Sequence, residues 1–228
     1  MRKTCSVRTA ALSDHNLFLR KPGRFGRHMA QKLSDLHHQV LIIDKDEHKV
    51  QEAMSYATNA EIGDATDPAL IDALGVKDFD LCVVTMSHDL QASLEITALL
   101  KEKGAPFVLV RVSRDTHAQF LLSCGADEII YPEKQMADWA AVRYSDNHVY
   151  DYTRLSPDYA IYETEIPEAW VGHSIVDLGI RPRFRLNILA VRRNGDVDPM
   201  PSPSYQFRAD DHVVLLGSDK DVQKFLRF

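Results

Sequence analysis

The sequence predicts an α/β fold: a doubly wound parallel sheet followed by a small α+β C-terminal domain. First, strand-like and helix-like segments alternate over about 150 residues, which is typical of a parallel sheet covered by helices. Second, this alternation stops near residue 150. Third, Asn194-Gly195 lies between two strand-like runs, which is a strong hairpin signal. Because strand–helix–strand connections are right-handed, the parallel sheet is expected to carry helices on both faces.

The first domain is predicted to cover residues 16–146, after an irregular segment at 1–15. Asp67-Pro68 is an N-cap followed by a first-turn proline, so it predicts the start of a helix that Gly75 ends. The apolar spacing predicts strands at 16–20, 39–44, 59–62, 79–85, 107–112 and 128–131, and helices at 24–35, 47–56, 67–75, 90–103, 115–123 and 133–146.

The last of these helices carries large apolar residues at helical spacing, including Met136, Trp139 and Tyr144. Such a helix packs against its own sheet or against a neighbouring subunit, and the sequence leaves both alternatives open.

The second domain is predicted to cover residues 151–228 and to consist mostly of strands. Prolines at 199, 201 and 203 indicate an irregular loop within it. The predicted elements are strands at 159–166, 186–193 and 211–217 and a short helix at 174–178.

Composition excludes several classes of protein. The 228 residues include 27 Lys and Arg against 33 Asp and Glu, a formal net charge of −6, so we expect no nucleic-acid partner. The longest apolar runs, 40–43 and 213–216, are far too short to cross a bilayer. No secretory signal is present at the N-terminus, so we expect a cytoplasmic protein that does not insert into a membrane.

A glycine-containing loop stands where a dinucleotide-binding fingerprint begins in a Rossmann-like domain. Gly23 and Gly26 match its second and third glycines, which allow phosphates and the following helix to approach the backbone, while Lys21 replaces the first glycine. The helix at 24–35 directs its N-terminal N–H groups at an anion. Asp44 follows Gly23 by 21 residues and suits ribose hydroxyls better than a 2′-phosphate.

Other polar residues follow the neighbouring strands and are expected at the same crevice. In the loop at 63–66, Asp64 can accept from an adenine amino group; the alternative is an ordinary turn with a helix cap. Thr85 and Arg111 end the next two strands, and Arg24 and Arg111 can neutralise phosphate charge. For each arginine the alternative is a solvated surface residue.

Signs of catalysis are missing from the sequence. The three cysteines, at 5, 82 and 124, form no metal-binding spacing or disulfide framework, and Cys82 reads as a small buried hydrophobe. There is no nucleophile elbow, no His-Glu-x-x-His and no Tyr-x-x-x-Lys. We therefore expect no enzyme. The alternatives are an NAD-dependent oxidoreductase, which needs a proton donor, and an NAD-sensing transcription regulator, which needs a basic helix-turn-helix.

Residues 16–228 resemble the RCK (regulator of potassium conductance) family of bacterial Ktr and Trk potassium uptake systems, and the Ktr type most closely. The segments that carry the resemblance are Gly23–Gly26, Val40–Asp44, Gly63–Thr66, Gln91–Ser93, Gly125–Asp127, Pro132–Lys134, Ser174–Leu178 and Ile188–Val191.

The resemblance implies a cytoplasmic gating subunit, peripheral to the membrane, that forms a homodimer and then an octameric ring under a membrane potassium channel. ATP would activate and ADP inactivate, and NAD or NADH would also bind. Arg24 would reach the terminal phosphate, and Glu133 would lie near a calcium or magnesium ion at the dimer interface. The implied nucleotide-binding residues are Gly23, Arg24, Phe25, Gly26, Asp44, Lys45, Asp64, Ala65, Thr85 and Arg111.

In Ktr-type members the resemblance further implies a cyclic di-AMP site in the C-terminal domain. Aliphatic side chains would stack on the purines and Arg181 would pair with phosphate; the alternative is an ordinary small-domain core with a surface arginine. The matching residues are Ile175, Val176, Arg181, Asn187, Ile188 and Pro203.

Overall fold

The structure is a computed structural model that describes residues 15–19, 23–86, 88–145 and 148–226. For the segment 15–19 it describes the backbone alone. The chain divides into two compact units, Met1–Glu133 and Lys134–Phe228. The predicted irregular segment at 1–15, apart from the backbone of its last residue, and the Lys21 position of the fingerprint lie outside the described residues.

The first unit contains a six-stranded parallel sheet in the order β3-β2-β1-β4-β5-β6, which confirms the predicted fold class. The direction of winding reverses between β1 and β4, so a crevice for ligands is expected at the carboxyl ends of these strands. The strands are β1 (His15–Leu19), β2 (Gln39–Asp44), β3 (Asn59–Ile62), β4 (Leu81–Val84), β5 (Val108–Arg111) and β6 (Glu128–Ile130). The helices are α1 (Arg24–Asp35), α2 (Glu47–Ala53), α3 (Pro68–Leu74), α4 (Leu90–Glu102), α5 (Asp115–Ser123) and α6 (Pro132–Ser145).

Both faces of this sheet are buried. Ile42 and Val83 belong to one apolar cluster, whereas their neighbours Ile43 and Val84 belong to the other. This alternation explains why the central strands are continuous apolar runs. Cys82 is fully buried, and burial raises the pKa of its thiol to about 12, which confirms its reading as a small hydrophobe.

The ends of α3 follow the predicted capping signals. The Asp67 carboxylate accepts a hydrogen bond from the Ala69 N–H at 2.9 Å, and Pro68 is the first helical residue. Gly75 ends the helix with φ +63°, a conformation in which a side chain would be strained.

The second unit contains a five-stranded antiparallel sheet in the order β10-β9-β11-β8-β7. The predicted turn is confirmed, because Asn194 and Gly195 connect two paired strands with φ +49° and +91°. The elements are β7 (Val149–Arg154), β8 (Tyr159–Glu165), α7 (Ile175–Leu178), α8 (Ile180–Phe184), β9 (Asn187–Arg193), β10 (Asp196–Asp198), β11 (His212–Ser218) and α9 (Asp219–Leu226).

Three of these elements, β7, α8 and α9, are absent from the sequence prediction, whereas β10 is the second strand of the predicted hairpin, whose bounds the sequence did not define. In β7 a register shift between Val149 and Asp151 leaves the buried Val149 and Tyr152 three residues apart, so the period of two is lost. Helix α8 contains Pro182, and α9 has eight residues, so their apolar periods are too short to detect.

Helix α6 spans the boundary between the two units. Trp139 and Val142 pack against the core of the second unit, whereas the sequence assigns this helix to the first domain. Met136 and Tyr144 are 58% and 74% exposed, so part of the apolar surface of the helix is uncovered in one chain. Among the described residues, no helix is both long enough and apolar enough to cross a membrane.

Candidate nucleotide-binding site

The start of α1 offers an anion the backbone N–H groups of a twelve-residue helix. Gly23 is the N-cap, with φ −59°, and a Cβ atom added there would meet no described atom within 4 Å. Gly26 is buried in the first turn, Phe25 is half-buried and Arg24 is exposed. A phosphate can therefore approach the Gly23 backbone without steric obstruction from the described residues.

Asp44 ends β2 with a carboxylate that is only 3% exposed. Its Oδ1 accepts a hydrogen bond from the Asp46 N–H at 2.9 Å. Its Oδ2 is buried and has no hydrogen-bond partner among the described residues. Because a buried unsatisfied acceptor destabilises a fold, this atom is well suited to accept from a ligand hydroxyl.

Lys45 and Asp64 form an ion pair between the ends of β2 and β3, with 2.5 Å between Nζ and Oδ2. The Thr66 N–H and hydroxyl donate to Asp64 Oδ1 at 3.1 and 2.8 Å. Desolvation raises the pKa of Asp64, but the bonds from Lys45 and Thr66 outweigh it and hold the pKa at about 2. An adenine amino group would therefore share the Asp64 carboxylate with three donors that already bind it. The neighbouring Ala65 is fully buried.

Lys45 and Asp64 are each predicted from the sequence as site residues, but their contact is not. The contact follows from the register between β2 and β3. Asp44 lies opposite Ile62, so the residues that come directly after the two strands are close together. A sequence read without knowledge of strand pairing does not contain this register.

Arg111, Glu133 and Phe25 come together from three separate elements. The Arg111 guanidinium, at the end of β5, forms an ion pair with the Glu133 carboxylate, the second residue of α6. Its Cζ lies 6.0 Å from the centroid of the Phe25 ring in the first turn of α1. Partial burial raises the pKa of Glu133, but its own N–H and Arg111 bind the carboxylate and lower that pKa overall. Thr85, which follows β4, is buried.

A divalent cation does not fit at Glu133 within one chain. The described residues include no group of three or more His, Cys, Asp or Glu side chains that could hold a metal ion. The Glu133 carboxylate is instead bound to a guanidinium.

The second unit contains a cavity of about 810 Å³ lined by all six residues that the resemblance implies for a second ligand. Arg181 is the one charged residue among the described lining residues, and its Nη2 donates to Asn187 Oδ1 at 2.6 Å. The Val176 N–H donates to the Pro203 carbonyl at 3.0 Å and joins α7 to the proline-rich loop. The cavity combines apolar walls with one cation, which suits a ligand that has flat apolar groups and an anionic group.

The strand order, the glycine loop before α1 and the acid that ends β2 define a Rossmann-type domain. Solved structures share this fold. The GsuK channel bound to NAD has a TM-score of 0.67 and 15% identity over 94% of this chain and 40% of that chain. The GsuK RCK domain has a TM-score of 0.63 and 15% identity, over 98% of this chain and 49% of that chain.

Two domain families match successive parts of the chain, the TrkA-N domain at residues 22–132 and the TrkA-C domain at 160–228. The Ktr system potassium uptake proteins A and C of Bacillus subtilis (strain 168) are 36% and 34% identical over 89% of this chain and 91% and 92% of their own lengths. The chain therefore belongs to the RCK family of Ktr/Trk potassium uptake proteins, as the resemblance implied.

Proposed function

We propose that this protein is a cytoplasmic, nucleotide-sensing gating subunit of a bacterial potassium uptake channel. It binds ATP or ADP at the carboxyl edge of its parallel sheet and switches a separate membrane subunit. The sequence similarity to potassium uptake proteins supports a role in potassium transport. The fold shared with an NAD-bound channel supports a nucleotide as the ligand, with NAD or NADH as alternative occupants.

The observation that carries the proposal is the buried Asp44 Oδ2, which has no partner among the described residues. It lies at the end of β2, where a carboxylate accepts from ribose hydroxyls. The open approach to Gly23 supports a position for the phosphates at the start of α1. The site thus supplies one acceptor for the sugar and one helix terminus for the anion.

Switching follows from differential affinity. ATP and ADP share the crevice but differ by one phosphate, so a cation that reaches the terminal phosphate distinguishes them. Arg24 is exposed at the first position of α1, and we assign it this role towards a nucleotide in a neighbouring subunit of a homodimer. Four dimers in an octameric ring would transmit the change to the channel. No catalytic step is part of the proposal.

A divalent cation, calcium or magnesium, would bind only if the nucleotide and a second subunit supplied most of its oxygen ligands.

We assign the cavity with Arg181 to cyclic di-AMP, whose two purines match its apolar walls and whose phosphates match the guanidinium. The second ligand would inhibit the same channel.

The test is thermal melting with ATP, ADP, NADH and cyclic di-AMP in parallel, because a ligand of the native state raises the midpoint. Asp44→Asn should abolish the shifts caused by the three adenine nucleotides and leave the cyclic di-AMP shift intact. Asp35→Asn, at the far end of α1, is the matched control. If no nucleotide raises the wild-type midpoint, or if NADH is preferred and a substrate is turned over, the gating proposal is wrong.

A further inference from the structure

The contact between Arg111 and Glu133 lies at the carboxyl end of β5, close to the first turn of α1, where the proposed function puts the phosphates. Arg111 is the last residue of β5, and its guanidinium faces the Phe25 ring one residue after the start of α1. The Arg111 side chain is only 14% exposed, whereas that of Glu133 is 57% exposed. A largely buried cation is thus covered by a carboxylate that solvent can reach.

A carboxylate and a phosphate bind a guanidinium in the same way. Both present anionic oxygens that accept hydrogen bonds from its planar N–H groups, and both are attracted by its positive charge. The Glu133 carboxylate therefore occupies donors that a nucleotide phosphate would otherwise use.

We propose that Glu133 is an internal competitor for the anion subsite at Arg111, which an incoming nucleotide phosphate displaces. This inference rests on the proposed function, because it requires a nucleotide in the crevice. It assigns Glu133 an affinity-setting role within one chain, where the resemblance assigns it to a cation.

Displacement has a structural consequence because of where Glu133 lies. It is the second residue of α6, and the boundary between the two compact units falls directly after it. A phosphate that takes over Arg111 releases the first turn of α6 from the end of β5. A nucleotide of higher charge competes more effectively with Glu133. It should therefore release the first turn of α6, where this boundary lies, more completely.

The test is calorimetric titration with ADP in EDTA, which removes divalent cations from the site. Glu133→Gln removes the competing charge and should tighten ADP binding by about three- to fivefold, the range for partly exposed ion pairs. Glu128→Gln, an exposed glutamate at the start of β6, is the matched control and should bind ADP as the wild type does.

Unchanged or weaker ADP binding by Glu133→Gln in EDTA overturns the proposal, provided that the variant melts as the wild type does. Repeating the titration with ATP in calcium chloride separates the alternative. A loss of affinity confined to calcium, with no gain in EDTA, would make Glu133 a cation ligand and not a competitor. Failure of the wild type to bind any nucleotide would instead refute the proposed function.

Discussion

Asp44 and Asp64 show how the environment gives two carboxylates at one edge of a sheet different roles. Asp44 is almost completely buried and keeps one oxygen without a partner among the described residues. Asp64 is 39% exposed, and its oxygens already accept from Lys45 and Thr66. The first carboxylate is available to a ligand, whereas the second joins two loops.

The ion pair of Asp64 predicts a pH-dependent contribution to stability. The folded pKa of about 2 lies below the ordinary 3.8, so the stabilisation is present above pH 4 and is lost as the pH falls towards 2. Because the side chain is partly exposed, the free energy of unfolding that Asp64→Asn removes at pH 7 should stay below about 1 kcal/mol.

Urea unfolding of the wild type and Asp64→Asn at several pH values measures this effect. The difference should shrink between pH 4 and pH 2, and Asp158→Asn, in the exposed turn after β7, controls for the loss of one charge. A difference that persists unchanged at pH 2 would contradict the assignment to Lys45 and Thr66.

At the scale of elements, two glycines serve opposite purposes. Gly23 at the start of α1 has an ordinary φ of −59°, so the backbone does not require glycine there, and under the proposed function its lack of a side chain leaves room for a phosphate. Gly195 between β9 and β10 has φ +91°, so its lack of a side chain serves the turn.

Gly23→Ala should therefore leave the free energy of unfolding within about 0.5 kcal/mol of the wild type and weaken ADP binding at least tenfold. Gly195→Ala should do the reverse, with a loss of about 1–2 kcal/mol in stability and unchanged ADP binding. Chemical unfolding and calorimetry of the two variants measure both quantities. Equal ADP affinity of Gly23→Ala and the wild type would move the phosphates away from α1.

Arg181 on α8 supplies the charge of the cavity in the second unit. Arg181→Ala should weaken cyclic di-AMP binding by at least tenfold, because a phosphate would lose a charge-assisted hydrogen bond in an apolar cavity. Arg183→Ala, on the same helix but outside the lining, is the control. Equal losses in the two variants would show a general effect of charge and no specific site.

Local patterns predicted the elements of the first unit better than those of the second. Capping at Asp67 and Gly75 and the buried run of β4 are local signals, so the sequence contains them in full. The register shift in β7 and the packing of Trp139 depend on partners distant in the chain. The six cavity residues were found through the resemblance, and the cavity itself emerged only with the fold.

At the scale of the whole molecule, the uncovered Met136 and Tyr144 of α6 are compatible with a neighbouring subunit. Light scattering should give the mass of eight chains, about 206 kDa, from a chain of 25.8 kDa. A monomer at micromolar concentration would exclude the ring.

Small-angle X-ray scattering should show different ring shapes with ATP and with ADP. Arg24→Ala should make the two shapes equal while the mass stays the same. A difference in shape between the ATP-bound and ADP-bound rings that persists in Arg24→Ala would exclude Arg24 as the sensor.

The sequence by itself determined the parallel sheet, the glycine loop before α1 and the acid at Asp44, because periodicity, capping and motif spacing are local properties. Only the tertiary structure decided that Lys45 binds Asp64, that Arg111 binds Glu133 and that Trp139 packs with the second unit. These contacts depend on strand register and on the direction in which each element leaves the sheet. Residues about 20 positions apart, such as Arg111 and Glu133, meet only when the intervening helix and strand are packed.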